Sequence, residues 1–223
     1  MKDIFKQLEK KLIVSCQAEG DSPFNSPEGV LMFAKAAIMG GAAAIRSEGI
    51  AKTDLIIKNV SVPVIGLIKG KFEDGYVRIT GSFDEVEQLI NINCPIIAVD
   101  GTKREREGLQ GHEFIAEIKK RYNCTVMADI STYDEGLACA GSGADCVSTT
   151  LSGYTPYTAK SEEPDYQLVE KLSKALTVPL FAEGRINTPD IAKLVINCGA
   201  FAIVVGSAIT RPTMITEWFV KQL

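Results

Sequence analysis

Eight short apolar segments recur along the chain, and stretches with helical periodicity separate them. They cover residues 12–16, 42–46, 64–69, 95–100, 125–129, 145–149, 179–183 and 201–205. Each is about five or six residues long, the length of a buried strand. Each is also nearly continuously apolar, which is typical of parallel strands covered on both faces. The intervals leave room for a helix and two loops, so the pattern predicts a repeated β-α unit.

Proline and glycine mark the ends of these units. Prolines that need not donate to a sheet stand at three strand starts, Pro63, Pro95 and Pro179. Gly-Ala pairs, in which glycine supplies the left-handed residue that ends a helix, begin at Gly41, Gly143 and Gly199. The marks alternate along the whole chain, so residues 1–223 are predicted to form a single closed (β/α)₈ TIM barrel. An open doubly wound sheet is the rival fold, but no G-x-G-x-x-G follows the first strand.

Polar residues close almost every predicted strand. In a (β/α)₈ barrel, the active site lies at the C-terminal ends of the strands. The residues at these ends are Gln17, Arg46, Lys69, Asp100, Asp129, Thr149 with Thr150, Glu183, and Gly206 with Ser207. Polar groups after one strand after another favour a functional site over chance.

Lys69 and Glu183 are the candidate catalytic pair. Lys69 ends the run V-I-G-L-I-K, where apolar walls and other cations disfavour its charged form and make it a candidate base or Schiff-base nucleophile. A snorkelling lysine, or a structural partner of Asp100 or Glu183, is the alternative. Lys71 is a rival, but K-F-E-D-G-Y is typical of a solvated loop. Glu183 would serve as the acid opposite Lys69, unless the two form a buried ion pair.

Other strand-end residues are candidate substrate ligands. Gln17 and Arg46 can donate to a carbonyl or to sugar hydroxyls. Asp129 could orient a sugar hydroxyl, hold Lys69 or cap the following helix. Residues 149–157, which include Tyr154, are rich in hydroxyls and predict either a lid over a polyhydroxylated ligand or a plain linker.

The last two units predict a phosphate site. Barrels often bind phosphate with the loops after strands seven and eight and a short helix N-terminus. Here those loops contain Gly184 with Arg185 and Gly206 with Ser207. Glycine lets backbone N–H groups approach an anion, although Gly206 could also be a simple turn residue. Arg211, just before the last helix, is a further anion ligand.

Composition narrows the classes of function. The net charge of −4 argues against nucleic acid and anionic membranes as partners. Lysines interrupt the N-terminus and no apolar run spans a bilayer, so we expect neither a signal peptide nor a membrane segment. Six cysteines without a C-x-x-C pair fit buried residues in a reducing cytoplasm. The single histidine, His112, argues against Ser-His or Cys-His catalysis and against a His-based metal site.

Seven segments together resemble a known family. They are I-V-S-C-Q-A, G-G-A-A-A-I-R, I-G-L-I-K, M-A-D-I-S-T, D-C-V-S-T-T-L-S-G-Y-T-P-Y, A-E-G-R-I-N-T-P and V-V-G-S-A-I-T-R-P, and they span almost the whole chain. The chain resembles bacterial N-acetylmannosamine-6-phosphate 2-epimerases, which act in sialic acid breakdown. The resemblance implies a phosphate-binding barrel that interconverts N-acetylmannosamine 6-phosphate and N-acetylglucosamine 6-phosphate without a metal or other cofactor.

The resemblance also implies residue roles. Lys69 would move the proton at C2, with Glu183 as its acid/base companion. Substrate contacts would come from Gln17, Arg46, Asp129 and Arg211.

Three other functions stay open. A Schiff-base lyase or aldolase would use Lys69 covalently, and a metal-dependent pentulose-phosphate epimerase would need several histidines. A non-catalytic sugar-phosphate sensor would not need both Lys69 and Glu183. Trp218 and Phe219 fit either the barrel core or the surface of a homodimer.

Overall fold

Eight parallel strands close into a barrel. The computed structural model describes residues 2–223. With two further strands outside the barrel, the strands of the described residues are β1 (Leu12–Cys16), β2 (Ala44–Glu48), β3 (Val64–Leu67), β4 (Lys69–Lys71), β5 (Val77–Ile79), β6 (Ile96–Asp100), β7 (Val126–Asp129), β8 (Cys146–Ser148), β9 (Leu180–Glu183) and β10 (Ala202–Val205). The barrel order is β1-β10-β9-β8-β7-β6-β3-β2, whereas β4 and β5 form a separate antiparallel pair. The predicted (β/α)₈ barrel is confirmed, and the open sheet is excluded.

Helix α1 precedes β1, and at least one helix comes between each barrel strand and the next or follows the last. They are α1 (Asp3–Lys6), α2 (Pro27–Met39), α3 (Ile50–Asn59), α4 (Phe83–Asn91), α5 (Gly111–Arg121), α6 (Tyr133–Gly141), α7 (Tyr166–Ala175), α8 (Pro189–Asn197), α9 (Ser207–Thr210) and α10 (Pro212–Val220). Thr188 caps α8 as predicted, since its side chain accepts from the backbone N–H of Ile191 at 3.2 Å. None of the helices in the described part of the chain has the length and apolarity needed to span a bilayer.

Alternate strand residues fill the barrel interior. The inner cluster includes Ile13, Ala44, Ile65, Leu67, Ile96, Ala98, Met127, Cys146, Phe181, Ala202 and Val204. The intervening residues pack against the helices in other clusters. Because side chains alternate along a strand, positions two residues beyond the last inner residue point into the barrel mouth.

Seven of the eight predicted strands have different bounds in the structure, and β2 and β3 differ most. β2 extends to Glu48 instead of ending at Arg46, and β3 ends at Leu67. Lys69 therefore begins the hairpin β4–β5, whose turn contains the segment predicted to be a solvated loop. The hairpin is anchored to the end of β3, because Ile68 N–H donates to Thr80 Oγ1 at 3.1 Å and Thr80 N–H donates to the Ile68 carbonyl at 2.7 Å.

Candidate active site

A cavity of about 710 Å³ opens at the C-terminal ends of the barrel strands. Ten of the predicted site residues line it: Gln17, Arg46, Lys69, Tyr154, Glu183, Gly184, Arg185, Gly206, Ser207 and Arg211. Asp129 is fully buried beneath this cavity. The fold thus brings together residues from nearly all parts of the sequence at one barrel mouth.

Arg46 and Asp129 form a buried, two-pronged ion pair under the cavity. Arg46 Nη1 lies 3.2 Å from Asp129 Oδ1, and Nη2 lies 2.5 Å from Oδ2. Both side chains are at most 1% exposed. Asp129 therefore neither holds Lys69 nor caps α6, whose cap is Thr132. It positions the guanidinium that the cavity presents.

Glu183 is held differently from Asp129. Its Oε2 lies 3.0 Å from Thr150 Oγ1 and 3.4 Å from Arg46 Nε. Burial raises the pKa of the Glu183 carboxyl above its usual value; Arg46 opposes the shift, and the charge of Asp129 adds to it. A carboxyl group whose pKa is raised in this way keeps its proton to a higher pH than an exposed glutamate does, which suits a general acid.

Lys69 pairs with Glu19, and not with Glu183 or Asp100. The Lys69 ammonium donates to Glu19 Oε1, and Arg211 Nη2 reaches the same oxygen at 3.4 Å. Burial acts to raise the pKa of the Glu19 carboxyl, but its cationic partners hold it below the usual value. The Lys69 side chain is 28% exposed and faces the same cavity as Glu183. A ligand in the cavity can therefore contact both side chains.

The predicted phosphate loops meet at one side of the cavity. Gly184 has φ 111°, and the next residue, Arg185, has φ 59°, so the backbone turns sharply after β9. Gly206 is the N-cap residue of α9, and no side chain caps this helix. A Cβ added at Gly206 would lie 3.3 Å from Ser15 Cβ, so this loop packs tightly on β1. Backbone N–H groups at both turns remain available to an anion.

The Arg185 side chain binds the loop after β8. Residues 149–165, which we call the lid loop, connect β8 to α7. Arg185 Nε donates to the Glu163 carbonyl at 2.8 Å, and Nη2 donates to the Ser152 carbonyl at 3.0 Å. The guanidinium also lies 5.3 Å from the Tyr154 ring centre. The loop is thus held by Arg185, and its Tyr154 lines the cavity, where a lid would lie.

Asp100 does not join this site, although it ends β6 in register with Asp129. Arg104 Nη2 and Arg106 Nη2 each lie 3.1 Å from its carboxylate, and Thr102 Oγ1 donates to it at 2.6 Å. The loop after β6 folds over Asp100 and seals it from solvent. Arg104 and Arg106 thus pair with Asp100, whereas Lys103 donates its backbone N–H to Glu135.

Ser15 and Glu19 are polar lining residues that the sequence prediction did not name, and Thr150 was named only as a strand-end residue. Ser15 lies on an inward-facing position two residues before Gln17, so counting by two along β1 would have found it. Glu19 lies in the loop after β1, and no periodicity marks it. Only the arrangement of Lys69 and Arg211 around its carboxylate shows its place.

All six cysteines are free thiols. Burial raises the pKa of the Cys16 thiol to about 12, so it stays protonated and unreactive. Within residues 2–223, no group of three or more His, Cys, Asp or Glu side chains is arranged to hold a metal ion.

The fold and the cavity together define the class of protein: a (β/α)₈ barrel with a cavity lined by charged and polar residues at the C-terminal ends of its strands. The family model described as "Putative N-acetylmannosamine-6-phosphate epimerase" matches residues 30–223. The chain belongs to this family, whose members are isomerases.

Individual relatives agree with this assignment. Two bear the name "Putative N-acetylmannosamine-6-phosphate 2-epimerase". The one from Caldanaerobacter subterraneus is 49% identical over 98% of this chain and 93% of its own length. The one from Clostridioides difficile is 46% identical over 97% of each chain. The solved N-acetylmannosamine-6-phosphate 2-epimerase from Clostridium perfringens superposes with a TM-score of 0.92 and 42% identity, covering 100% of this chain and 97% of that one.

A more distant structure shows the fold alone. Thiamine phosphate pyrophosphorylase from Pyrococcus furiosus aligns with a TM-score of 0.61 at 15% identity. The same fold thus occurs in a protein named for a different reaction, so the fold alone does not determine the reaction.

Proposed function

We propose that the protein interconverts N-acetylmannosamine 6-phosphate and N-acetylglucosamine 6-phosphate by removing and returning the proton at C2, a step in N-acetylneuraminate degradation. The observation that carries the proposal is the single cavity that holds Lys69, Glu183 and two glycine-containing loops suited to a phosphate. Family membership supports the choice of substrate.

The phosphate is proposed to bind where the β9 and β10 loops meet. Backbone N–H groups of Gly184, Arg185, Gly206 and Ser207 supply the donors, and Arg211 adds positive charge. Binding energy at the phosphate holds the reacting carbon in place, so a group remote from C2 contributes to the rate.

The proton transfers are assigned to Lys69 and Glu183. The open-chain aldehyde makes the C2 proton acidic, and the neutral amine of Lys69 removes it. Because the Lys69 amine is bound to Glu19, this contact has to open before Lys69 can reach C2. Gln17 and Arg46, which both line the cavity, donate to the enolate oxygen. Glu183 serves as the acid for ring opening and proton return.

Proton NMR in D₂O tests the reaction. Incubating N-acetylmannosamine 6-phosphate with enzyme should yield the epimer with deuterium at C2. Lys69→Ala should abolish the exchange. Lys71→Ala is the matched control, because Lys71 lies two residues further along the hairpin at the rim of the cavity and should keep the exchange. Epimerisation without solvent label would contradict open proton exchange.

Borohydride reduction separates the covalent alternative. A Schiff base at Lys69 would be trapped irreversibly when borohydride is added with substrate. Full activity after this treatment supports proton transfer by the free amine. Irreversible inactivation, with the sugar found on Lys69, would favour a lyase or aldolase.

We further propose a cytoplasmic homodimer. The unpaired cysteines support a reducing compartment. Helix α10 has no buried residue, and Phe219 and Val220 are 71% and 64% exposed, an apolar face that a second copy would cover. Light scattering checks this: Phe219→Glu should convert the dimer to a monomer, and a monomeric wild-type protein would contradict the proposal.

A further inference from the structure

The hydroxyl of Thr150 lies between the two carboxyl groups of the site. Its Oγ1 is 2.8 Å from Asp129 Oδ1, 3.0 Å from Glu183 Oε2 and 2.8 Å from Ser148 Oγ. Thr150 follows β8 on an inward-facing position and lines the cavity. No other hydroxyl among residues 2–223 contacts both Asp129 and Glu183.

Counting hydrogens shows that these contacts need an extra proton. A hydroxyl has one hydrogen to donate and two lone pairs to accept. If both carboxyl groups were ionised, Ser148 and Thr150 would supply two hydrogens for three oxygen–oxygen contacts. One contact would then place two lone pairs opposite each other in a buried site, which is unfavourable.

Arg46 indicates which carboxyl group carries the extra proton. Both of its terminal nitrogens bind Asp129. Its Nε lies 3.4 Å from Glu183 and, within residues 2–223, has no hydrogen-bond partner. Asp129 is therefore the ionised member, because it receives the charge-assisted pair of hydrogen bonds.

A proton on Glu183 completes the network. Glu183 then donates to Thr150, Ser148 also donates to Thr150, and Thr150 donates to Asp129. The single hydrogen of the Thr150 hydroxyl and both of its lone pairs then take part in hydrogen bonds. All three oxygen–oxygen contacts, at 2.8–3.0 Å, are then hydrogen bonds.

We propose that Thr150 is a positioning residue for the acid, a hydroxyl that accepts from protonated Glu183 and donates to Glu183 once it is ionised. The inference rests on the proposed acid role of Glu183. When the Glu183 O–H bond breaks, its electron pair stays on the carboxylate and the proton forms a new O–H bond on the substrate oxygen. The Thr150 O–H then turns from Asp129 to Glu183, while Asp129 keeps its two bonds from Arg46.

Other charged and titratable groups around Glu183 fit this exchange. Arg46 approaches from β2, Asp129 from β7 and Lys69 from the hairpin, and the buried thiol of Cys146 lies near Arg46 and Asp129 on β8. The two cations limit the cost of ionising Glu183, and Asp129 opposes ionisation. A nearby donor that can turn toward the new carboxylate eases the step without an added charge.

Kinetics of two variants test the role of the hydroxyl. Thr150→Val keeps the branched shape but removes the hydroxyl, and Thr150→Ser keeps the hydroxyl. We expect Thr150→Val to lower kcat about ten- to a hundredfold, part of what a general acid contributes, while KM changes little. Thr150→Ser should restore most of the rate. Equal losses in both variants, or wild-type kcat in Thr150→Val, would overturn the proposal.

Infrared spectroscopy tests the proton itself, without substrate. The wild-type protein should show a protonated-carboxyl C=O band that Glu183→Gln removes and that Thr150→Val moves to higher frequency. Thr149→Val is the matched control, since Thr149 bonds the backbone and not the carboxyl of Glu183, and it should leave the band in place. If Glu183→Gln removes no such band, Glu183 is ionised and the proposal fails.

These measurements distinguish failure of the hydrogen-bond proposal from failure of the proposed reaction. The infrared band needs only folded wild-type protein and Glu183→Gln, so it remains decisive even if Thr150→Val does not fold. If the band is present but N-acetylmannosamine 6-phosphate gains no deuterium, the proposed reaction is wrong and the hydrogen-bond arrangement stands.

Discussion

Replacing Asp129 by asparagine should both destabilise the protein and lower kcat. Both effects have the same cause, the loss of the negative charge that balances Arg46. Arg46 is 1% exposed and Asp129 is fully buried. Removing one partner of a buried ion pair typically costs about 3–5 kcal/mol. Glu183 remains 3.4 Å from Arg46 Nε and can take over part of the role. We therefore expect the lower end, about 3 kcal/mol.

This loss converts to a fall of roughly 6–12 °C in melting temperature for a chain of this size. Equilibrium urea unfolding gives the free energy directly. The activity prediction follows from the same charge. The carboxylate of Asp129 helps to raise the pKa of Glu183. Without it, Glu183 ionises beside Arg46 and loses the proton that the acid needs, so kcat should fall even where the variant is fully folded.

Asp100→Asn is the matched control. Asp100 is also fully buried, ends the neighbouring strand in register with Asp129 and holds two arginines. It does not line the cavity. We expect a comparable or larger loss of stability with kcat retained at a temperature where the variant is folded. An unchanged melting temperature in Asp129→Asn, or an equal loss of kcat in Asp100→Asn, would refute the reasoning.

Three further perturbations probe the rim, the lid loop and the base of the barrel. Glu19→Gln removes a carboxylate that competes with the substrate phosphate for Arg211, so KM should fall by up to about fivefold, the limit for exposed pairs. Initial rates at fixed ionic strength measure this change, and a raised KM would contradict the prediction. Arg185→Ala removes two hydrogen bonds from a charged group to the lid loop, so KM should rise about tenfold. Amide hydrogen exchange should also speed up in residues 152–163, and unchanged exchange would contradict the role of Arg185 in holding the loop. Burial acts to raise the pKa of the Asp145 carboxyl, but bonds from Lys119 and a backbone N–H hold it below its usual value. Its stabilising effect is therefore present above the unfolded value of about 3.9 and is lost as the pH falls further. The wild-type advantage over Asp145→Asn in urea unfolding should shrink below this pH, and a constant difference would argue against it.

Much of the barrel could be predicted from local sequence signals. The eight apolar segments overlap the eight barrel strands, and β1 has the predicted bounds. Gly41, Gly143 and Gly199 adopt φ of 97°, 96° and 101°, as expected for residues that end helices. These features were accessible because burial on both faces and left-handed turns each restrict which residues are allowed.

The sequence could also place most of the site. A polar residue after an apolar strand in a (β/α)₈ barrel points to the mouth, which identified Gln17, Arg46, Lys69 and Glu183 as residues of one cavity. The rule could not tell that Asp129 belongs to the site and Asp100 does not, because both residues occupy inward-facing positions at the ends of their strands. The distinction depends on the loop after β6, whose arginines cover only Asp100.

The sequence by itself thus determined the class of fold, the set of polar residues at the mouth and the family to which the chain belongs. The tertiary structure decided the partners: Lys69 with Glu19, Arg46 with Asp129, and Thr150 between two carboxyl groups. Strand periodicity fixes the direction in which a side chain points, and it follows from a few neighbouring residues. Which charged groups meet depends on contacts between residues far apart in the chain, as the 83 positions between Arg46 and Asp129 illustrate, and no local pattern encodes them.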